Sequence, residues 1–225
     1  MADSYHHGDL REAVLRRAIA VIADEGPHHF SLRSLATDLG VSHTAPRHHF
    51  GDRQGVLNAI AAEGFTGLAD SLRAVSRSGG TFLDQGVAYV TYAIEHPAHF
   101  QVMFTPSLLD EKDESLAAAR EATFAQLRAG VDSISAPAGA DDTGTRTDTD
   151  TGTGTTTGAD RAGATIEDAG AAVLAAWALV HGIATLSLTG NLDASKLRDL
   201  FADTDLASIT RRSAAMLYGS PGSGQ

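Results

Sequence analysis

The chain has 225 residues, 43% of them hydrophobic and 6% aromatic, and a formal charge of -11. That length can bury a real core as one large or two small domains, and an Ala- and Leu-rich, aromatic-poor composition favours helix. The chain has no cysteine, which excludes a disulfide framework, a thiolate metal site and a thiol nucleophile. Its acidity is uneven. Residues 1–55 hold seven acidic residues against six arginines and also seven of the ten histidines, so nearly all the net negative charge lies further on. A DNA reader needs positive charge where it faces phosphates, not a basic total. The first residues carry His and Asp where a secretory signal needs a basic start and an apolar run, so a cytoplasmic location is expected.

Apolar residues at three- and four-residue spacing mark the helices in order. Leu10, Val14, Ala18, Val21 and Ile22 give the first, between an Asp9 cap and a Gly26-Pro27 stop. Ser31 opens a second, with Leu32, Leu35, Ala36 and Leu39, and Gly40 closes it. Ser42 is expected to cap a short third helix running to about His49. Asp52 opens a fourth, whose face is Leu57, Ile60, Ala61, Gly64, Phe65, Leu68, Leu72 and Val75, up to the Gly79-Gly80 break. Residues 81–95 follow, with Phe82, Val87, Val90 and Ile94 as the apolar positions. His96-Pro97 is a boundary, because a residue before proline avoids the helical region. A short helix through Phe100, Val102, Met103 and Phe104 then ends at Pro106, and another covers about 111–134.

Residues 136–165 break the pattern. From Asp141 to Gly158 they are almost all Thr, Gly and Asp, without a large apolar residue to offset the entropy of ordering, which predicts a disordered insertion. Two long helices complete the chain, about 166–189 and about 195–218, the last carrying Leu197, Leu200, Phe201, Ile209, Met216 and Leu217. Ala171–Leu188 is eighteen residues without a formal charge, long enough to be weighed as a membrane span. His181, Thr185, Ser187, the many alanines and the missing basic flanks argue instead for a helix buried on most sides, inside the protein or at a subunit interface. The expected fold is all-α with about nine helices: a three-helix head over 1–55 and a helical bundle over 56–219.

The segment from Ser31 to Ser42 carries the functional signal. Two helices joined by a tight glycine turn match a helix-turn-helix, whose second helix enters the major groove. Ala36 is small enough for close helix approach, Gly40 can take the positive φ the turn needs, and Val41 can plug the joint. The next helix is short and polar, with His43, Thr44, Ala45, Pro46, Arg47, His48 and His49, as a helix lying in a groove should be. Pattern alone leaves an ordinary helical hairpin open as the alternative.

Ser31-Leu32-Arg33, Leu39-Gly40-Val41-Ser42, His49-Phe50-Gly51-Asp52-Arg53 and Leu57 together resemble the DNA-binding domain of TetR-family repressors over about residues 9–60. The opening Tyr5-His6-His7-Gly8-Asp9-Leu10-Arg11 resembles one subgroup, whose C-terminal domain is marked by a Trp, a His and a Gly, here Trp177, His181 and Gly182. The resemblance implies a homodimer, made through about 166–189 and 195–218, on a near-palindromic double-stranded operator. It implies phosphate contacts from Ser31, Arg33 and Arg53, and base or phosphate contacts from Ser42, His43 and Thr44. Arg47 stands where the family usually has a tyrosine, and either a bidentate phosphate pair or a guanine contact is open to it. Pro46 removes one helical hydrogen bond and is expected to bend or tighten the reading helix.

His6-His7, His28-His29 and His48-His49 are adjacent pairs. Neighbours on a helix diverge by about 100°, so a pair does not readily hold one ion; DNA or solvent contact is expected for them, His48 and His49 included, and no metal or other cofactor. Trp177 and His181 share a helix face. They read as core packing or as a pocket for a small apolar ligand, with Tyr89, Tyr92, Phe100 and Phe104 as further lining. No triad order, phosphate loop or metal spacing supports an enzyme.

Overall fold

The structure is a computed structural model that describes residues 7–135, 166–194 and 204–218. The expected insertion at 136–165 and the first third of the expected last helix, with Leu197, Leu200 and Phe201, lie outside the described residues. Those described form ten α-helices and no strand: α1 (His7–Glu25), α2 (Leu32–Asp38), α3 (Ala45–Phe50), α4 (Arg53–Arg77), α5 (Phe82–Glu95), α6 (Pro97–Met103), α7 (Glu114–Ser135), α8 (Ile166–Leu188), α9 (Asn191–Ala194) and α10 (Leu206–Tyr218). A 3-10 turn at Pro106–Leu108 follows α6.

Local chemistry sets most boundaries. Ser31 caps α2 by accepting from the Ser34 N–H at 3.0 Å, and Ser34 Oγ accepts from the Ser31 N–H, a reciprocal capping box. Thr81 and Asp84 form the same device at α5. There the Thr81 hydrogen bonds, aided by Arg211 of α10, lower the Asp84 pKa to about 2. Asp52 caps α4 through the Gly55 N–H at 3.0 Å. α1 starts at His7, so Asp9 lies within its first turn rather than ahead of it. α5 turns Gln85, Tyr89, Val90 and Ala93 inward and leaves Ile94 exposed, one position round from the face its larger apolar residues suggest.

One hydrophobic core runs without a break from Leu10 of α1, through α4, to Ala184 of α8. The central helix α4 packs on α1, α5, α6 and α7, most extensively on α7. Two glycines set how closely it does so. A Cβ at Gly64 would lie 2.5 Å from Met103 Sδ, and one at Gly67 would lie 2.5 Å from the Tyr92 hydroxyl. Helix α8 buries the stripe Ala176, Val180 and Ala184 but exposes Leu174, Leu186 and Leu188. It is the helix among the described residues long and apolar enough to cross a membrane, and only 17% of its apolar window is buried within the chain. Burial on most sides within the chain is therefore not what the structure has. Met216 and Leu217, at the end of α10, are exposed apolar residues as well.

Gly40, at φ +66°, carries the turn after α2. A side chain at that angle meets its own carbonyl and costs about 1–2 kcal/mol. Gly40→Ala is expected to lower unfolding free energy by about that amount in a denaturant titration, although no neighbour lies within 4 Å of the added carbon.

Candidate nucleic-acid interface and regulatory pocket

The α2–α3 pair has the geometry of a reading head. α2 ends in a Schellman turn: Val41 N–H donates to the Ala36 carbonyl at 3.0 Å and Gly40 N–H to Thr37 at 3.1 Å. Ala36 is fully buried, and Val41 packs on the core. α3 buries Pro46 and partly buries Ala45, His49 and Phe50, while His43, Thr44, Arg47 and His48 are exposed. His43 and Thr44 in the turn before α3 and Arg47 and His48 on it are all exposed and polar, with Arg47 as the fixed positive charge. The back of α3 is pinned by Phe50, over whose ring the Arg11 guanidinium sits at 5.4 Å. Arg17 of α1 is tied to Asp38 of α2 at 2.8 Å, which fixes the supporting helix.

Several expected contacts take different positions. Ser42 does not cap α3. Its hydroxyl lies 3.2 Å from that of Thr44, which holds the cap position, without a side-chain cap, and Ala45 N–H donates to the Ser42 carbonyl. Pro46 falls in the first turn of α3, where its missing N–H has no partner in the helix to lose, so it neither bends nor tightens the helix. His49 lies on the inward side, its ring centroid 6.3 Å from that of Phe50. Arg33 is exposed at the start of α2, and the Ser31 hydroxyl is engaged in the capping box. Arg53 is half-buried: it donates to the Pro27 carbonyl and lies 5.0 Å over the Phe30 ring, so it first braces the α1–α2 loop. The rest of its five-donor fork remains for a phosphate.

The second site joins α5, α6, α7, α8 and α10. Trp177 Nε1–H donates to the Tyr89 oxygen at 3.3 Å, and that oxygen lies 3.0 Å from His181 Nδ1. An indole N–H only donates, so the Tyr89 oxygen accepts there, while the direction of the Tyr89–His181 bond follows the imidazole tautomer. Burial lowers the His181 pKa, which keeps the ring neutral and able to accept, and burial raises that of Tyr89. His181 stacks on Phe100 at 5.2 Å and meets the Phe104 edge at 4.6 Å. Five of the six expected pocket residues thus meet in one cluster. Tyr92 does not join them: its hydroxyl donates to the Gly64 carbonyl at 2.9 Å, its ring lies 4.4 Å from that of His96, and burial, with Glu63 nearby, pushes its pKa up to about 12.

Two spaces flank this cluster. An inner apolar cavity of about 50 Å³ is lined by Trp177, Tyr89 and Phe104, and also by Phe65, Phe82, Gln85, Thr123, Phe124, Val180, Ala214 and Tyr218. Sequence reading missed the latter group, because they come from five helices and share no spacing. An outer groove of about 420 Å³ lies between Ala23 of α1, the stretch from Pro97 to Thr105, and the stretch of α8 and its end from His181 to Thr189. Phe104 lines both. No group of three or more metal-ligating side chains occurs among the described residues.

A helix-turn-helix head on a helical bundle with a buried aromatic pocket defines a DNA-binding transcriptional regulator. Residues 82–209 match the family model of the tetracyclin repressor-like C-terminal domain, more than half of the chain, and the chain belongs to this TetR family, whose members bind DNA operators as dimers. A Rhodococcus sp. RHA1 protein of unknown function is 28% identical, covering 96% of this chain and 97% of its own, with a TM-score of 0.66. SCO4313, named as a regulatory protein, is 18% identical over 95% of this chain and 97% of its own, with a TM-score of 0.68. PfmR, a TetR family transcriptional regulator from Thermus thermophilus, is 17% identical over 93% of this chain and 98% of its own, with a TM-score of 0.56. At such identities the last two attest the fold. No curated protein matches the sequence.

Buried histidines make stability depend on pH. His99 of α6 has its Nε2 buried without a hydrogen-bond partner, 3.6 Å from Glu63. Burial lowers its pKa more than Glu63 raises it, and burial also lowers that of His181. Below the ordinary value of 6.5 the unfolded chain therefore binds more protons than the folded one. The stability these groups contribute is full above that pH and is lost as pH falls through their native values. The denaturation midpoint is expected to drop between about pH 7 and pH 5, and less steeply in His99→Leu. Equal slopes would assign the drop to other groups.

Proposed function

We propose that this regulator is a cytoplasmic, homodimeric repressor, and not an enzyme, released from a near-palindromic operator by a small apolar ligand bound in its C-terminal bundle. Residues 1–55 form the DNA-binding domain and 56–219 the ligand-binding and dimerisation domain. The observation that carries the reading is the exposed quartet of His43 and Thr44 in the turn before α3 and Arg47 and His48 on it, the opposite side of the helix being anchored to the core. Ser42 stands at its entrance, Arg33 and Ser31 flank it on α2, and Arg53 and His49 support it from behind. Trp177, His181, Tyr89, Phe100 and Phe104 form the ligand-responsive cluster, and the triplet Trp177, His181 and Gly182 supports membership of the subgroup that carries it. Ligand binding releases DNA only by favouring the dimer whose heads do not fit two successive grooves.

The dimer is made by α8 and the chain's last helix against their mates. Leu174, Ala178, Gly182 and Leu186 recur every four residues on the outward side of α8, and a Cβ on Gly182 would meet nothing within 4 Å. Leucines flanking small residues let a partner helix approach closely, and burying each leucine stabilises association by about 1.5–3 kcal/mol. The same covering removes from water the face that makes α8 long and apolar enough for a membrane.

Three experiments follow. Binding of the purified protein to its own upstream DNA is expected to be specific and to weaken steeply with salt. Arg47→Ala should weaken it by roughly 1–3 kcal/mol. A shallower salt slope in that variant makes Arg47 a phosphate contact, whereas lost discrimination at one guanine makes it a base reader; unchanged binding removes it from the interface. Leu174→Glu with Leu186→Glu should sediment as a monomer and lose operator affinity, and a dimer of unchanged stability would move the interface off α8. Trp177→Ala, folded and dimeric, should still bind operator but no longer release it to the inducing ligand; an unaltered response places the ligand elsewhere.

A further inference from the structure

We propose that the groove between α1, α6 and α8 is a ligand site in its own right, for an uncharged molecule with an apolar body and one hydrogen-bond acceptor held by His181 Nε2–H. It deepens the ligand-responsive reading above and rests on it.

Room decides first. The inner cavity, at about 50 Å³, has space for water-sized occupants, whereas small-molecule sites enclose roughly 300–1,000 Å³. The groove, at about 420 Å³, already has that space. Its chemistry is just as restrictive. No Asp, Glu, Lys or Arg lines it, so an ion entering it would shed hydration with no countercharge to compensate. Its walls include the rings of Phe100 and Phe104 and the side chain of Leu188. The hydroxyls of Thr105 and Thr189 donate to the carbonyls one turn back, at 2.6 and 2.8 Å. His181 is different. Its Nδ1 lies 3.0 Å from the Tyr89 oxygen, to which the Trp177 N–H donates. In the proposed tautomer Nδ1 accepts from Tyr89 and the ring's own proton is on Nε2, the edge left for whatever enters the groove. A carbonyl or ether oxygen matches that donor, and the Gln101 carboxamide and the Thr185 hydroxyl are the other polar side chains on the groove's wall.

The groove's position supplies a consequence that the inner cavity lacks. Ala23 belongs to α1, the helix that also holds Phe50 of the reading helix through Arg11. A ligand lying between Ala23 and His181 touches the reading head and the bundle together. Its affinity then varies with the angle between α1 and α8, and that difference in affinity is what shifts a two-state equilibrium.

The test uses the full-length protein and three ring probes: cyclohexanone, methylcyclohexane and cyclohexanecarboxylate. Trp177, the chain's one tryptophan, provides a single indole N–H resonance, with its ring 5.4 Å from that of His181. Cyclohexanone is expected to shift it saturably. Methylcyclohexane should bind about fivefold more weakly, for one lost hydrogen bond, and the carboxylate at least about tenfold more weakly. Ala23→Phe, at an exposed position that leaves the core intact, should abolish the cyclohexanone shift. His181→Leu should bind the ketone no better than the hydrocarbon. Cyclohexanone binding that survives Ala23→Phe, equal binding of the carboxylate, or no binding of the ketone by the parent protein would each overturn the proposal. The reading beneath it fails separately, by absence of salt-sensitive operator binding in the parent protein, which none of these probes enters.

Discussion

Burial of α4 from Val56 to Leu72 is the constraint on which the rest of the molecule depends. Val56, Leu57 and Ile60 at its start are fully or almost fully buried with the reading head, and Phe65, Leu68 and Leu72 are buried further along with the bundle. At 1.5 Å per residue its 25 residues span about 38 Å. A helix buried at both ends acts as a rod, because bending it would open voids in a close-packed core. The glycines at 64 and 67 tighten that rod against α6 and α5, so a shift of α6 has no slack to dissipate in before it reaches α4. The reading head is therefore placed by the bundle, and α3, with six residues and one buried flank, contributes little to placing itself.

The Trp177–Tyr89–His181 chain supplies the polar order in an otherwise apolar junction. The direction of its first link is fixed by one chemical fact, that indole donates and never accepts. Removing Tyr89 takes this partner from both the Trp177 N–H and His181 Nδ1, at a cost of about 1–3 kcal/mol, so Tyr89 ties α5 to one arrangement against α8. His99 is the counterexample nearby: its buried Nε2 has no hydrogen-bond partner, and the α4–α6 junction accepts that cost where Gly64 allows the closest approach.

Charge and apolar surface are also partitioned. On the exposed surface of α3 and the start of α2 the fixed cations are Arg47 and Arg33, while Arg11, Arg17 and Arg53 are drawn onto aromatic rings, a carboxylate or a carbonyl. Those three arginines hold the head's parts together. The leucines of α8 are the opposite case, apolar surface left in water by the single chain and suited to a second copy.

The sequence by itself determined most of the helices, the caps at Ser31 and Asp52 and the turn between α2 and α3, because these depend on neighbours within four residues: Ser31 with Ser34, Asp52 with Gly55, and Gly40 with its positive φ. It also named Trp177 and His181 as partners, since a spacing of four places both on one side of a helix. Only the tertiary structure decided what distant residues offer one another. Arg53 turns to Pro27, Tyr92 to Gly64, and α5 rotates Ile94 outward because α4 and α8 dictate its buried side. Ser42 yields the cap to Thr44 because the turn after α2 delays the start of α3, which carries Pro46 harmlessly into the first turn. The inner cavity and the outer groove are likewise products of assembly: five helices close the first and three the second, both against Phe104, and no local pattern encodes such a distance.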